Sequence, residues 1–170
     1  SGLYGALLLD YYQLLGPGAG VRHTYVDDET GRGVVSLYGV GNEYGGADGS
    51  VGWERHWTLS PWTLDVKAGY EFVSSATGVE RHELSGGGTI GHRDARGAMT
   101  VDLDYRAVLG GQYLERIDVG GELNRRLRSG WNVRLSGEYF DERYDTFAPR
   151  RWLGYDAELE RATGAYTLTV

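Results

Sequence analysis

Cysteine is absent from the chain, so neither a disulfide framework nor a thiolate metal site can exist. No stretch approaches the 18 consecutive apolar residues of a spanning helix, which excludes a helical membrane protein. Proline occurs only three times, and Lys67 is the only lysine among 17 basic residues. A basic surplus is missing too: the net charge of −7 argues against nucleic acid as a partner. No HExxH pair, Cys/His cluster or cofactor-binding motif occurs, so no metal or cofactor is expected.

What the chain has in quantity is glycine (28 residues) and tyrosine (13), with five tryptophans. Without a G-X-Y period, and with this many aromatics, such a composition is neither collagen-like nor a disordered linker. The mean hydropathy of −0.42 looks soluble, but a sheet with one apolar and one polar face averages to such a value wherever it sits. At 170 residues one domain is expected. No leader precedes Ser1, which reads as a mature form or an excised piece.

Strict alternation carries the fold assignment. In 62–72, Trp62, Leu64, Val66, Ala68, Tyr70 and Phe72 share one parity, and Thr63, Asp65, Lys67, Gly69 and Glu71 the other. A strand sorts such residues onto two faces, whereas a helix scatters them. The same grammar recurs with Met99, Val101, Leu103, Tyr105 and Ala107, with Trp131, Val133, Leu135, Gly137 and Tyr139, and with Leu153, Tyr155, Ala157 and Leu159. Turn signals divide these runs at Glu29–Gly33, Ser60-Pro61, Asp94–Gly97, Arg128–Gly130 and Thr163-Gly164. Connections at the other end are longer: Asn42–Gly49, Ser74–Gly78 and Asp141–Arg150.

Registers can be tested against these turns. A two-residue turn at Ser60-Pro61 sets His56 against Asp65, Glu54 against Lys67 and Trp57 against Leu64, so both faces agree. A Thr163-Gly164 turn sets Leu159 against Leu168 and Ala157 against Val170. Around Asp94–Gly97, Gly86 meets Tyr105 and Gly88 meets Leu103; Gly86–Gly88 reads as a strand kink or bulge, since neither a Lys nor a helix follows it. A link at Gly110-Gly111 sets Arg106 against Arg116 and Asp104 against Asp118, and a slip or bulge is expected to relieve it. Arg55 falls on the apolar parity between Trp53 and Trp57, to be resolved by snorkelling, by stacking on Trp or by an inverted strand.

The expected fold is an all-β, antiparallel up-and-down transmembrane β-barrel of about ten strands (ten to twelve) over 19–170. An N-terminal segment, 1–18, precedes it as a strand or a short amphipathic helix. Strand length, small residues on the apolar parity (Ala68, Ala107, Gly137, Ala157) and aromatics near strand ends (Trp57, Trp62, Tyr70, Phe72, Tyr113, Trp131, Tyr139, Trp152) favour a bilayer over a soluble core. The expected lipid-facing set is Trp62, Leu64, Val66, Tyr70, Phe72, Val101, Leu103, Tyr105, Val133, Leu135 and Tyr139. The expected lumen-lining set is Glu54, Lys67, Glu71, Asp102, Asp104, Arg106, Arg116, Asp118, Glu122, Arg134, Glu138, Asp156 and Glu158.

On this architecture, not on a diagnostic motif, the chain resembles bacterial outer-membrane β-barrels as a class. The resemblance implies an outer-membrane location, with the lipid bilayer and lipopolysaccharide as partners. It departs at the terminus, where such barrels end on an aromatic and this chain ends Tyr166-Thr-Leu-Thr-Val170. The departure favours a truncated, engineered or assembly-embedded barrel. The expected role is a non-enzymatic anchor or narrow pore. Three alternatives stay open: a barrel component of an envelope export or secretion assembly with other envelope proteins; a soluble lipocalin-like binding barrel; and an outer-membrane hydrolase. The last rests on His56 and Asp65 as weak catalytic candidates, with Ser85 or Ser136 as unpositioned nucleophiles.

Overall fold

In the computed structural model the chain forms one antiparallel sheet whose strands follow chain order without a crossover. The structure describes residues 2–12, 16–28, 30–42, 45–77, 80–110, 113–128, 130–161 and 167–169. Ten long strands carry it: β1 (Gly2–Tyr12), β2 (Gly16–Asp28), β3 (Gly31–Gly41), β4 (Ala47–Leu59), β5 (Trp62–Val73), β6 (Arg81–Asp94), β7 (Gly97–Leu109), β8 (Leu114–Arg126), β9 (Trp131–Tyr144) and β10 (Arg150–Arg161). A three-residue β11 (Thr167–Thr169) flanks the end of β10. There is no helix among the described residues. Within the expected N-terminal segment residues 2–12 are thus a strand, paired with β2 along its length, and the expected 18/19 boundary falls inside β2.

Successive side chains in a strand point to opposite faces, so a register is also a face assignment. One rung runs Leu3, Tyr25, Gly33, Arg55, Val66, Gly88, Leu103, Val119, Tyr139, Leu153 across β1 to β10. It starts at the turn end of β1 and leaves at the loop end of β10, the oblique drift of tilted strands. The neighbouring rung runs Arg32, His56, Asp65, Thr89, Asp102, Gly120, Glu138, Gly154 on the other face. One shift, between Val26 and Asp28 beside the β2–β3 turn, interrupts the ladders; elsewhere they are regular.

That regularity corrects several expectations. Arg106 does stand opposite Arg116 and Asp104 opposite Asp118, with no slip or bulge. The like charges turn away from each other: Arg106 reaches Glu83 on β6 at 2.7 Å, Arg116 binds Asp118 on its own strand at 2.6 Å, and Asp104 reaches Lys67 on β5 at 2.6 Å. Gly86–Gly88 lies in an unbroken ladder, without a bulge. Gly87 sits between Lys67 and Asp104 on the shared rung, and their ion pair passes over it. Trp152 stands on the charged face, opposite Phe140, because it is out of phase with Leu153. The Glu29–Gly33 link is shorter than expected, since β3 begins at Gly31. The Thr163-Gly164 turn and the Ala157–Val170 pairing lie outside the described residues, whereas Leu159 does face Leu168.

The loops are held by particular contacts. Asn42 donates to Asp48 Oδ1 at 2.7 Å and accepts from the Gly46 amide at 3.0 Å, closing the β3–β4 link. Gly110 and Gly130 have φ of 88° and 81°, the left-handed region that L side chains rarely adopt. Among the described residues no second layer covers either face. Among the described hydrophobic residues only Ala107 and Val108 are buried, and Leu37, midway along β3, is 56% exposed.

A Cβ at Gly87 would stand 2.7 Å from the Leu103 carbonyl oxygen and 2.8 Å from Lys67 Cε and Asp104 Oδ1. Gly87→Val is therefore expected to destabilise the sheet by about 1–3 kcal/mol, read as a drop in the thermal unfolding midpoint. Gly121→Ala, whose Cβ would meet only ordinary contacts at 3.7 and 4.0 Å, should stay within about 0.5 kcal/mol.

Candidate functional site

The register gathers Glu54, Lys67, Glu71, Asp102, Asp104, Arg106, Arg116, Asp118, Glu122, Arg134, Glu138, Asp156 and Glu158 on one face of the sheet. Ion pairs on this face bridge neighbouring or next-neighbouring strands: Lys67–Asp104, Arg106–Glu83 and Arg134–Glu158, the last at 3.3 Å. Glu83 also takes Arg81 at 3.1 Å. Asp102 accepts a long 3.4 Å hydrogen bond from Thr89. Glu54, Glu71, Glu122, Glu138 and Asp156 form no ion pair among the described residues, so this face carries surplus negative charge.

A hollow of about 440 Å³ opens on the same face, lined by Arg22, Arg32, Glu54, His56, Asp65 and Lys67 among others. Inside it His56 Nδ1 is 2.6 Å from Asp65 Oδ1, and His56 Nε2 is 3.0 Å from Thr58 Oγ1. The two-residue turn after Leu59 produces this arrangement by setting His56 against Asp65 and Thr58 against Thr63. Thr58 and His56, two apart on one strand, necessarily share a face. A hydroxyl, an imidazole and a carboxylate joined in this order are the elements of an activated nucleophile. Sequence reasoning found the His–Asp half and missed Thr58; the i, i+2 spacing was the available signal. Ser85 lies on the rung of Gly69 and Arg106, and Ser136 on that of Glu122 and Asp156, away from His56.

The opposite face carries Trp62, Leu64, Val66, Tyr70, Phe72, Val101, Leu103, Tyr105, Val133, Leu135 and Tyr139 together. Its turn end holds Trp57, Trp62 and Trp131; its loop end holds Tyr11, Tyr70, Phe72, Tyr105 and Tyr139. Arg55 is on this face, as its parity demands, with its guanidinium 4.9 Å from the Trp57 ring centroid and 5.1 Å from that of Tyr25. Stacking, not an inverted strand, is the resolution. Apart from Arg55, charges on this face lie at its two ends among the described residues: Asp94, Arg125 and Arg161 at the turn end, and Glu115, Asp141, Arg143 and Arg151 at the loop end. The second cluster also escaped sequence reasoning. Its signal was a parity: Asp141 and Arg143 continue the Trp131–Tyr139 apolar series.

Just before β8, the Tyr113 hydroxyl donates to Glu115 at 3.3 Å. Partial desolvation, then the Glu115 carboxylate, pushes that phenol above its ordinary range and keeps it a donor. Among the described residues no group of three or more His, Asp or Glu side chains is placed to hold a metal ion. No family model, curated protein or solved structure matches the chain.

The ion pairs differ in shielding. Glu83 is 18% exposed and holds Arg106 by two nitrogens, whereas Lys67 and Asp104 are both more than half exposed. A double-mutant cycle on Arg106 and Glu83 is expected to give a coupling of about 1–2 kcal/mol. The same cycle on Lys67 and Asp104 should give less than about 1 kcal/mol, falling further in high salt.

Proposed function

We propose that this chain is the membrane-spanning sheet of a bacterial outer-membrane β-barrel, serving as a structural anchor or narrow passage without needing catalysis. The observation that carries this reading is the apolar face itself: it runs across ten strands, and among the described residues no second layer covers it. Apolar surface left in water costs about 25 cal/mol per Å², so a face of this extent calls for an apolar medium. Lipid is such a medium, and it is accessible only from outside a closed sheet.

Three features support lipid over a soluble interior. The strands are long enough: the 12 residues of β5 extend about 40 Å, or about 30 Å along the membrane normal at a tilt of ~40°. Tryptophans border the apolar band at one end and tyrosines at the other, as interface girdles do. Apart from Arg55, whose guanidinium stacks on Trp57 and Tyr25, charges on the apolar face stay at the two ends, where lipid charges only about 0–1 kcal/mol for them, against about 2–4 at mid-depth. On this reading the charged face lines the lumen, and its unpaired carboxylates favour cations over anions.

Two specific observations favour further readings. Among the described residues, β1 pairs only with β2, and most of β10 has a free outer edge. A free edge in hydrocarbon costs several kcal/mol for each unpaired backbone group, so these edges must pair with each other or with further strands. Further strands would make this sheet one arc of a larger barrel in an export or secretion assembly. Separately, the Thr58–His56–Asp65 geometry favours a hydrolase acting on esters inside the passage.

In the first test the refolded protein should float with phospholipid vesicles, and Leu103→Arg, midway along β7, should weaken insertion by about 2–4 kcal/mol. Recovery of a monodisperse species from detergent-free buffer would contradict the reading. For the hydrolase, p-nitrophenyl ester turnover should be lost in both His56→Ala and Thr58→Ala; activity that persists in either variant rules it out.

A further inference from the structure

At the loop end of the apolar face, four charged side chains occupy positions that parity would give to aliphatics. Glu115 faces Arg143 across β8 and β9, and Asp141 faces Arg151 across β9 and β10. Asp141 is the organiser. Its side chain is only 6% exposed, and its Oδ2 accepts from Tyr139 at 3.2 Å, from Arg143 Nη2 at 3.3 Å and from Arg151 Nε at 3.1 Å. Arg143 Nε adds a contact to Oδ1 at 3.4 Å, and its Nη1 lies 3.8 Å from Glu115. Two guanidiniums from adjacent strands are thereby drawn to one buried oxygen.

What the cluster offers outward is cationic. The carboxylate of Asp141 is covered, while Arg151 is 61% exposed and its two terminal nitrogens have no hydrogen-bond partner among the described residues. Glu115 is drawn toward Tyr105 and Tyr113, whose hydroxyls donate to it at 3.5 and 3.3 Å. Immediately toward the sheet centre on β10 lie Leu153 and Tyr155, 69% and 76% exposed on the same face. A forked donor pair above bare apolar surface matches an amphiphile with a phosphate head and acyl chains.

We infer that Arg143 and Arg151, aimed by Asp141, form a clamp for the phosphate head group of an anionic membrane lipid whose chains lie along Leu153 and Tyr155. The inference rests on the membrane reading above and names the lipid chemistry met at this end of the apolar band. It commits to a lipid and not to free phosphate because the donors and the apolar track are contiguous. The carboxylate–arginine core sits where the alternation changes from aliphatic to charged, the depth at which head groups begin.

The test uses the refolded protein in neutral detergent, with dioleoylphosphatidylglycerol and dioleoylphosphatidylcholine as probes and bound lipid counted by native mass spectrometry. The wild type should retain the glycerol lipid about tenfold better than the choline lipid. Arg151→Gln should abolish most of that preference, and Arg151→Lys, which keeps the charge but not the fork, should fall between them. Arg143 continues to neutralise Asp141 in both variants, so folding is preserved, and vesicle flotation of each verifies this. Unchanged discrimination in floating Arg151→Gln overturns the clamp and leaves the membrane reading standing. Competition by inorganic phosphate at concentrations matching the lipid also overturns it, since the site would then be an anion site without a lipid component. If the wild type itself fails to float, the membrane reading falls and takes the clamp with it.

Discussion

Parity is the constraint on which this structure depends. In an antiparallel ladder each residue's neighbours along the chain point to opposite faces, so one residue of slippage exchanges the faces of a whole strand. Ten strands of 11 to 14 residues keep their phase here with a single irregularity, beside the first turn-end hairpin. That continuity separates Leu37, Val51 and Leu84 from Glu54, Lys67 and Arg106. Among the described residues neither face has a core behind it, so the sheet's stability rests on the ladders, on cross-strand pairs and on whatever medium covers the apolar side.

Glycine serves this constraint in a specific way. At Gly87 an ion pair from the flanking strands passes over the empty position. At Gly33, Tyr25 lies over the backbone and its hydroxyl accepts from Trp53 Nε1 at 2.9 Å, two strands away. Tyr38 reaches Asp10 at 3.0 Å across Gly18 and Gly20 in the same manner. At these three places side chains on strands i and i+2 thus meet directly over an intervening strand that lacks a Cβ. These links stiffen the sheet across its width, where backbone hydrogen bonds join only immediate neighbours.

Much of this was legible in the sequence, because alternation and turn chemistry are local. The hairpin at Ser60-Pro61 could be registered from its charges alone, and the pairing of Glu54 with Lys67 and His56 with Asp65 follows. What was not legible depended on side-chain reach. An opposition of Arg106 with Arg116 looks repulsive in one dimension, yet Glu83 on the far strand resolves it. Arg55 looked misplaced until Tyr25 and Trp57 were brought beside it. The Asp141 cluster was not legible because the charged run from Asp141 reads as the start of a loop, whereas β9 continues to Tyr144. Closure of the sheet belongs to a different scale, since it depends on what meets the edges of β1 and β10.

The central claim is that the even-numbered face of β5 meets lipid and the odd-numbered face meets water. Because the chain has no cysteine, single cysteines can be placed one at a time from Leu64 to Glu71, labelled and reconstituted into vesicles. Quenching by a lipid-phase quencher should then alternate with period two, strong at 64, 66, 68 and 70 and weak at 65, 67, 69 and 71. The opposite phase, or uniform access to an aqueous quencher at every position, would contradict the account.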